Sequence, residues 1–272
     1  MKNVLRHFLE AKAPSLLGTY RGYRGRREFG GRFKKTNKAL RAAIGCNERY
    51  PKVVTGPFAG MRYLDESVWG PITPKWLGSY EAELHELIEE IIRVQYSRII
   101  NVGCAEGYYA VGLARACTSS TIFAFDTDCW SQLQCRQLAR LNDVSQRVSV
   151  SGYCSHSTLN DSIIPKSTLV ICDIEGGEDP LLSLDIVPAL LTCDLIVEIH
   201  EHECGSHMVE ESLANRFSSS HRVTRISALD RKSWIDSQYE MVRTVSRELL
   251  IEATAEHRAN GLVWLWIKRR ED

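Results

Sequence analysis

Polar and apolar positions alternate with three different rhythms along the chain. In YEAELHELIEEIIRV (80–94), Leu84, Leu87, Ile88, Ile91 and Ile92 recur at helical spacing, and Glu81, Glu83, Glu86, Glu89 and Glu90 fill the other face. That spacing predicts an amphipathic helix. From residue 98 onward, short apolar runs alternate with helical patterns. RIINV (98–102), TIFAF (121–125), RVSVS (147–151), TLVICDI (168–174), DLIVEIH (194–200) and HRVTRISA (221–228) read as strands. Helices are expected over 107–117, 130–141, 178–190 and 207–217, an irregular loop from 152 to about 166, and a longer polar and helical stretch over 230–258. GLVWLWIKR (261–269) reads as a last strand, with Trp264 and Trp266 as core packing.

The strands are short and nearly all apolar, as strands covered on both faces must be. Their alternation with helices predicts a parallel sheet wrapped on both sides. The last strand lacks a full helical crossover and is expected antiparallel at the sheet edge. Upstream, Pro51, Pro57, Pro71 and Pro74 exclude long helices from 51–79. Val4, Leu5, Phe8 and Leu9 share a face in residues 1–20, and 18–36 are rich in Gly and Arg. Three parts follow: a basic, partly helical arm (1–50), a lead-in or lid (51–97) and a main domain (98–272).

Composition narrows the class. A 272-residue chain with 44% hydrophobic and 25% charged residues can bury a sizeable core. The net charge of zero gives the whole molecule no bias toward nucleic acid or membrane. Residues 1–41, however, hold twelve Lys/Arg against Glu10 and Glu28, a local excess of +10 that leaves −10 for the rest. That arm offers peripheral contact with an acidic surface. The nine cysteines include no CxxC pair and several lie in apolar runs, which fits buried free thiols in a reducing cytoplasm. No run of 18 apolar residues predicts a transmembrane helix, and the N-terminus lacks the apolar core of a secretory signal.

The candidate chemistry begins where the first strand ends, at IINVGCAEGYY (99–109). A glycine turn between strand and helix brings backbone close to a ligand. A dinucleotide site wants G-x-G-x-x-G. Here Ala105 and Tyr108 stand at the second and third glycine positions, and Glu106 inside the turn would repel a pyrophosphate. Asp126 in FAFDTD, nineteen residues after Gly107, suits the two hydroxyls of a ribose. An acidic turn followed by a ribose carboxylate favours a cationic nucleoside, S-adenosylmethionine (SAM).

At INVGCAEGYYAVGLA (100–114), FAFDTD (123–128), VICDIEGGE (170–178) and IVEIHE (196–201), the chain resembles the class I SAM-dependent methyltransferases, and more closely their FkbM-like branch. The likeness spans 98–228, with 261–268 as the terminal strand. GPFAGMRYL (56–64) and LGSYEAELH (77–85) are similar to the lead-in of a bacterial subset. The resemblance implies a Rossmann-like fold with a seven-stranded, mostly parallel sheet and SAM as cofactor. It implies that Gly103, Ala105, Glu106 and Gly107 line the methionine portion and that Asp126 binds ribose. Gly152, Tyr153 and Cys154 would flank the adenine, Asp173 would lie beside the methionine or the acceptor, and Tyr80 would cover the cofactor, with Tyr108 at its carboxylate end. The branch often carries Glu-Pro where this chain has Asp126-Thr127.

Ligands of open parallel sheets bind outside the carboxyl ends of strands. There His200 is the first candidate for a base, Asp173 the second, and Glu175 a loop holder. His200 and His202 would share a face if the strand continued, but histidine suits magnesium poorly and no metal is assigned. Trp69, Trp76 and Tyr63 in the lead-in are candidates for a roof over the acceptor. The expected activity is O-methylation of a small molecule or a sugar hydroxyl. Two alternatives stand: an RNA methyltransferase using the basic arm, and a non-catalytic SAM-binding module. An Asp-Ile-Glu-Gly after strand four, in place of Asn/Asp-Pro-Pro-Tyr/Phe, makes nucleic acid the weaker reading.

Overall fold

The computed structural model describes residues 32–201, 207–258 and 262–270. Residues 1–31, and with them the expected helix over 1–20 and most of the basic arm, lie outside the described residues, as does His202. Seven strands form one sheet: β1 (Arg98–Val102), β2 (Thr121–Phe125), β3 (Val148–Ser151), β4 (Thr168–Cys172), β5 (Asp194–Ile199), β6 (His221–Ser227) and β7 (Val263–Arg269). Their order is β3-β2-β1-β4-β5-β7-β6. The first five pair in parallel, and β7 runs antiparallel to both β5 and β6. This is a Rossmann-like sheet. The last strand is not at the edge, as its sequence suggested, but between β5 and β6. Burial explains the place: VWLWI of β7 is buried on both faces, whereas β6 is mostly exposed.

Helices cover both faces: α1 (Lys34–Ala43), α2 (Thr73–Leu77), α3 (His85–Val94), α4 (Tyr108–Ala116), α5 (Cys129–Leu141), α6 (His156–Ser162), α7 (Glu178–Leu181), α8 (Met208–Phe217), α9 (Arg231–Gln238) and α10 (Arg247–Ala253). Alternate strand residues enter two separate cores. Ile99, Ile171 and Ile196 pack with the lead-in and α3, while Ile100, Val170 and Val197 pack with α8. None of the described helices is long and apolar enough to cross a membrane.

Several elements depart from their pattern. The helix expected over 178–190 stops after Leu181, where Leu182 leaves helical geometry at ψ +33°, and it could not have reached 190 because Val187 precedes Pro188. The loop expected after β3 contains α6, whose N-cap Ser155 accepts from the Thr158 N–H. Residues 230–258 break into α9, a 3₁₀ turn and α10. The lead-in helix starts at His85, after Glu81 adopts a left-handed backbone and a short 3₁₀ turn intervenes. Part of the expected basic arm belongs to the body: Leu40 of α1 is buried in the main core, and Thr36 donates to Glu252 of α10.

Two glycines of the β1–α4 turn answer to packing. Gly103 has φ +81°, and a Cβ there would lie 1.6 Å from the Asp173 carbonyl oxygen. Gly107 has φ +96°, and its Cβ would lie 2.8 Å from the Cys135 sulfur on α5. The amides of Gly103 and Cys104 both donate to the Phe125 carbonyl at the end of β2, at 2.8 and 2.9 Å.

The lead-in is fastened to this turn by a buried charge pair. Lys75 on α2 contacts Glu106, and the two side chains are only 3% and 0% exposed. Glu106 also accepts from Tyr63 Oη (3.0 Å), Ser67 Oγ (3.0 Å) and the Val68 N–H (3.3 Å). Burial alone would push this carboxyl up. The Lys75 charge and the donors outweigh it, so the Glu106 pKa falls below its ordinary value. The associated stability is present above the ordinary carboxylate range and is lost as pH falls through the depressed value.

Gly103→Ala is expected to cost about 3 kcal/mol or more, from left-handed strain plus overpacking, measured by urea unfolding. Lys75→Met leaves Glu106 buried and unpaired and is expected to cost about 3–5 kcal/mol in the same assay. Adding Glu106→Gln to Lys75→Met should recover part of that loss; strictly additive losses would contradict the pairing.

Candidate functional site

The carboxyl ends of β1, β2, β4 and β5 lie side by side. A narrow pocket opens there, walled by the β1–α4 turn (Gly103, Cys104, Ala105, Glu106), by Tyr108 and Tyr109 of α4, and by Tyr80 and Lys75 of the lead-in. Asn101, Ile171, Asp173 and Trp264 form its sheet side. The Tyr80 and Tyr108 rings meet edge to face at 5.1 Å, and Lys75 Nζ stands 4.9 Å from the Tyr80 ring centre. Tyr108 is also packed against Phe58 and Tyr63.

The turn spends its polar groups on itself. Ala105, at φ +45°, donates its N–H to Asp126 Oδ2 at 2.9 Å, and Asp128 N–H donates to Oδ1 at 2.8 Å. Gly107 N–H closes the turn on the Cys104 carbonyl at 2.8 Å. Asp126 is therefore a staple of the turn, and each of its oxygens keeps a second lone pair for a ligand hydroxyl. Burial raises its pKa to about 7 against the pull of the two amides. Glu106 borders the pocket, but its carboxylate is committed to Lys75 and the lead-in.

Gly152, Tyr153 and Cys154 follow β3 and do not border this pocket; Tyr153 is exposed and Cys154 buried. Tyr63 and Trp76, expected to roof an acceptor, are fully buried instead, one bound to Glu106 and the other donating to the Leu64 carbonyl at 2.8 Å. Both are large apolar bodies with a single polar tip, which a core accepts once the tip has a partner.

At the ends of β4 and β5 the two candidate bases, His200 and Asp173, come together with Glu175. His200 Nε2 lies 3.8 Å from Asp173 Oδ1, 3.6 Å from Glu175 Oε2 and 3.7 Å from Glu198 Oε2. Its Nδ1 lies 3.0 Å from Oε1 of buried Glu178. The donor atoms of Asp173, Glu175 and His200 all fall within 4.8 Å of one another. Burial alone would lower the His200 pKa, but the Glu178 hydrogen bond and the surrounding carboxylates raise it to about 9. Burial raises Asp173 to about 7, with the His200 charge opposing. Glu175 is exposed and holds a left-handed backbone, φ +60°, ahead of Gly176.

A second ionic layer ties the chain end to this cluster. Arg258 pairs with Glu81, Glu83, Glu198 and Glu256, and Arg231 reaches Glu83 and Glu256. Glu81 also accepts from the Tyr109 hydroxyl. Lys75, Asn101, Glu178 and Trp264 were not singled out as site residues from sequence. Asn101 had a signal, a polar residue inside the apolar run IINV; the other three had none that separates them from surface or core positions.

No family model matches the chain, and no curated protein matches it. Solved structures are similar to it. Cofactor-bound Rv0187 from MTB is 11% identical with a TM-score of 0.47, over 98% of this chain and 97% of that one. An O-methyltransferase from Bacillus cereus in complex with SAH is 11% identical with a TM-score of 0.44, over 67% and 80%. A human methyltransferase 10 domain containing protein is 14% identical with a TM-score of 0.45, over 71% and 82%.

Proposed function

We propose that this protein is a SAM-dependent methyltransferase acting on a hydroxyl of a small molecule or sugar unit. The observation that carries the reading is a convergence: the β1–α4 turn and Asp173 line one pocket closed by the aromatic rings of Tyr80 and Tyr108, and Asp126 holds that turn from behind through the Ala105 N–H. Asp126 accepts the ribose hydroxyls with its remaining lone pairs. Asp173, at the pocket's inner side, faces the methionine portion and the acceptor. SAM supplies an activated methyl group on a sulfonium.

Bound there, SAM would supply the methyl group to an acceptor oxygen held in line with it and would keep the C–S electron pair on sulfur. The proton of the hydroxyl passes to Asp173. With a pKa of about 7 Asp173 is matched to that task near neutral pH. His200, expected from sequence as the base, is charged at neutral pH and serves as the cation beside Asp173. Holding acceptor and methyl in line supplies much of the acceleration. A polyanionic acceptor is disfavoured, because Asp173 lines the pocket and Glu175 and Glu198 crowd His200 beside it, while Arg231 and Arg258 are already paired.

The test is calorimetry with S-adenosylhomocysteine, and no binding to the native protein would sink the reading. Asp126→Ala is expected to weaken binding at least about tenfold, the worth of one or two lost hydrogen bonds. Hydroxyls donate best to an ionised carboxylate, so affinity should rise from pH 6 to pH 8 as Asp126 loses its proton. Asp126→Asn should flatten that rise.

A further inference from the structure

Glu178 is the least exposed carboxylate of the strand-end cluster: its side chain is 0% exposed, and it opens the short helix α7 rather than sitting in a strand. An ionised group so placed must be fully satisfied. Oε1 accepts from the Ile174 N–H at 3.0 Å and from the Gly176 N–H at 3.2 Å, and Oε2 accepts from Gly176 at 3.1 Å. These bonds fold the Asp173–Gly177 turn over the carboxylate. The third contact on Oε1 is His200 Nδ1 at 3.0 Å. One side chain thus fixes the turn that carries Asp173 and Glu175, and also the ring that faces them.

We propose that Glu178 is the positioning residue of this site, holding the Nδ1–H of His200 so that Nε2–H points at Asp173 and Glu175. The inference rests on the reading of Asp173 as the proton acceptor. A ring held at one nitrogen by a buried acceptor has its other nitrogen defined in direction and protonation. The charged groups facing His200 are Asp173 and Glu175 from the β4–α7 turn, Glu178 from α7 and Glu198 from β5, with Arg258 beyond Glu198. Glu178 is the one within hydrogen-bond distance; the other three stand 3.6–3.8 Å from Nε2. It therefore sets the ring, and the ring's charge then bears on Asp173.

Glu178→Gln separates this role from a structural one. The retained carbonyl oxygen can still accept from the Ile174 N–H and the ring, and only the Gly176 contact to Oε2 is lost, while the negative charge is removed. The readout is nitrogen-15 NMR of histidine-labelled full-length protein across pH 5 to 10. In the native protein His200 should carry protons on both ring nitrogens at pH 7.5, with Nδ1–H exchanging slowly with water. In Glu178→Gln its titration should move down by about one unit or more. An unchanged His200 titration in that variant overturns the proposal. So does a neutral His200 ring at pH 7.5 in the native protein, a measurement that needs no variant to fold. S-adenosylhomocysteine calorimetry on the same samples keeps the two readings apart: absent binding with the expected histidine titration rejects the cofactor and leaves the positioning intact.

Discussion

The buried pair between Lys75 and Glu106 is the constraint on which the site's shape depends. It joins an irregular, proline-punctuated lead-in to the turn at the heart of the sheet. Two charges hidden from water are tolerated when they meet each other and when further hydrogen bonds take up the remaining lone pairs. Tyr63, Ser67 and Val68 supply those bonds, all from the lead-in. Because the acceptors all lie on Glu106, the lead-in is registered against α4. Tyr80 is thereby brought over the pocket, and Phe58 is pressed against the bare backbone of Gly112. A carboxylate that reads as a ligand contact is, in the fold, the peg of a lid.

Charge is distributed in two layers around the strand ends. The inner layer is Asp173, Glu175, Glu178 and His200; the outer layer is Glu81, Glu83, Glu198 and Glu256, threaded by Arg231 and Arg258. Glu198 belongs to both, since one oxygen faces His200 and the other Arg258. Burial, with repulsion from the neighbouring carboxylates added to it, raises the pKa to about 7 for Asp173 and about 8 for Glu256. Sites that run proton chemistry near neutrality keep acids in this range by burial and crowding. Glu81, strained at φ +48°, links the outer layer to Tyr109 and so to the pocket wall.

Much of the fold was legible because buried parallel strands write themselves as apolar runs. All seven strands were read to within two residues at each end, and β1 and β2 match outright. The failures share a cause. Helix α7 leaves helical geometry at Leu182, well before Pro188 would have stopped it, and α6 escaped notice because seven mostly polar residues show no stripe. The placement of β7 turns on which of the last two strands is apolar on both faces, a comparison that a strand-by-strand reading does not make. At the site, the turn, Asp126, Asp173 and His200 were visible as motif positions. Glu178 and Lys75 were not, since a carboxylate after two glycines or a lysine after a proline looks like a surface residue until the chain closes over it.

The sequence by itself determined the alternating architecture, the turn after β1 and the residue types gathered at the strand ends, because periodicity and local backbone needs are written in neighbouring residues. Tertiary structure alone decided what those residues do for one another. Gly103 is glycine because the Asp173 carbonyl, seventy residues away along the chain, occupies the space of a side chain. Glu106 answers to Lys75, and His200 to Glu178, through contacts 31 and 22 residues apart that no local pattern encodes. Burial then fixes the charge of each group, and burial is a property of the whole chain.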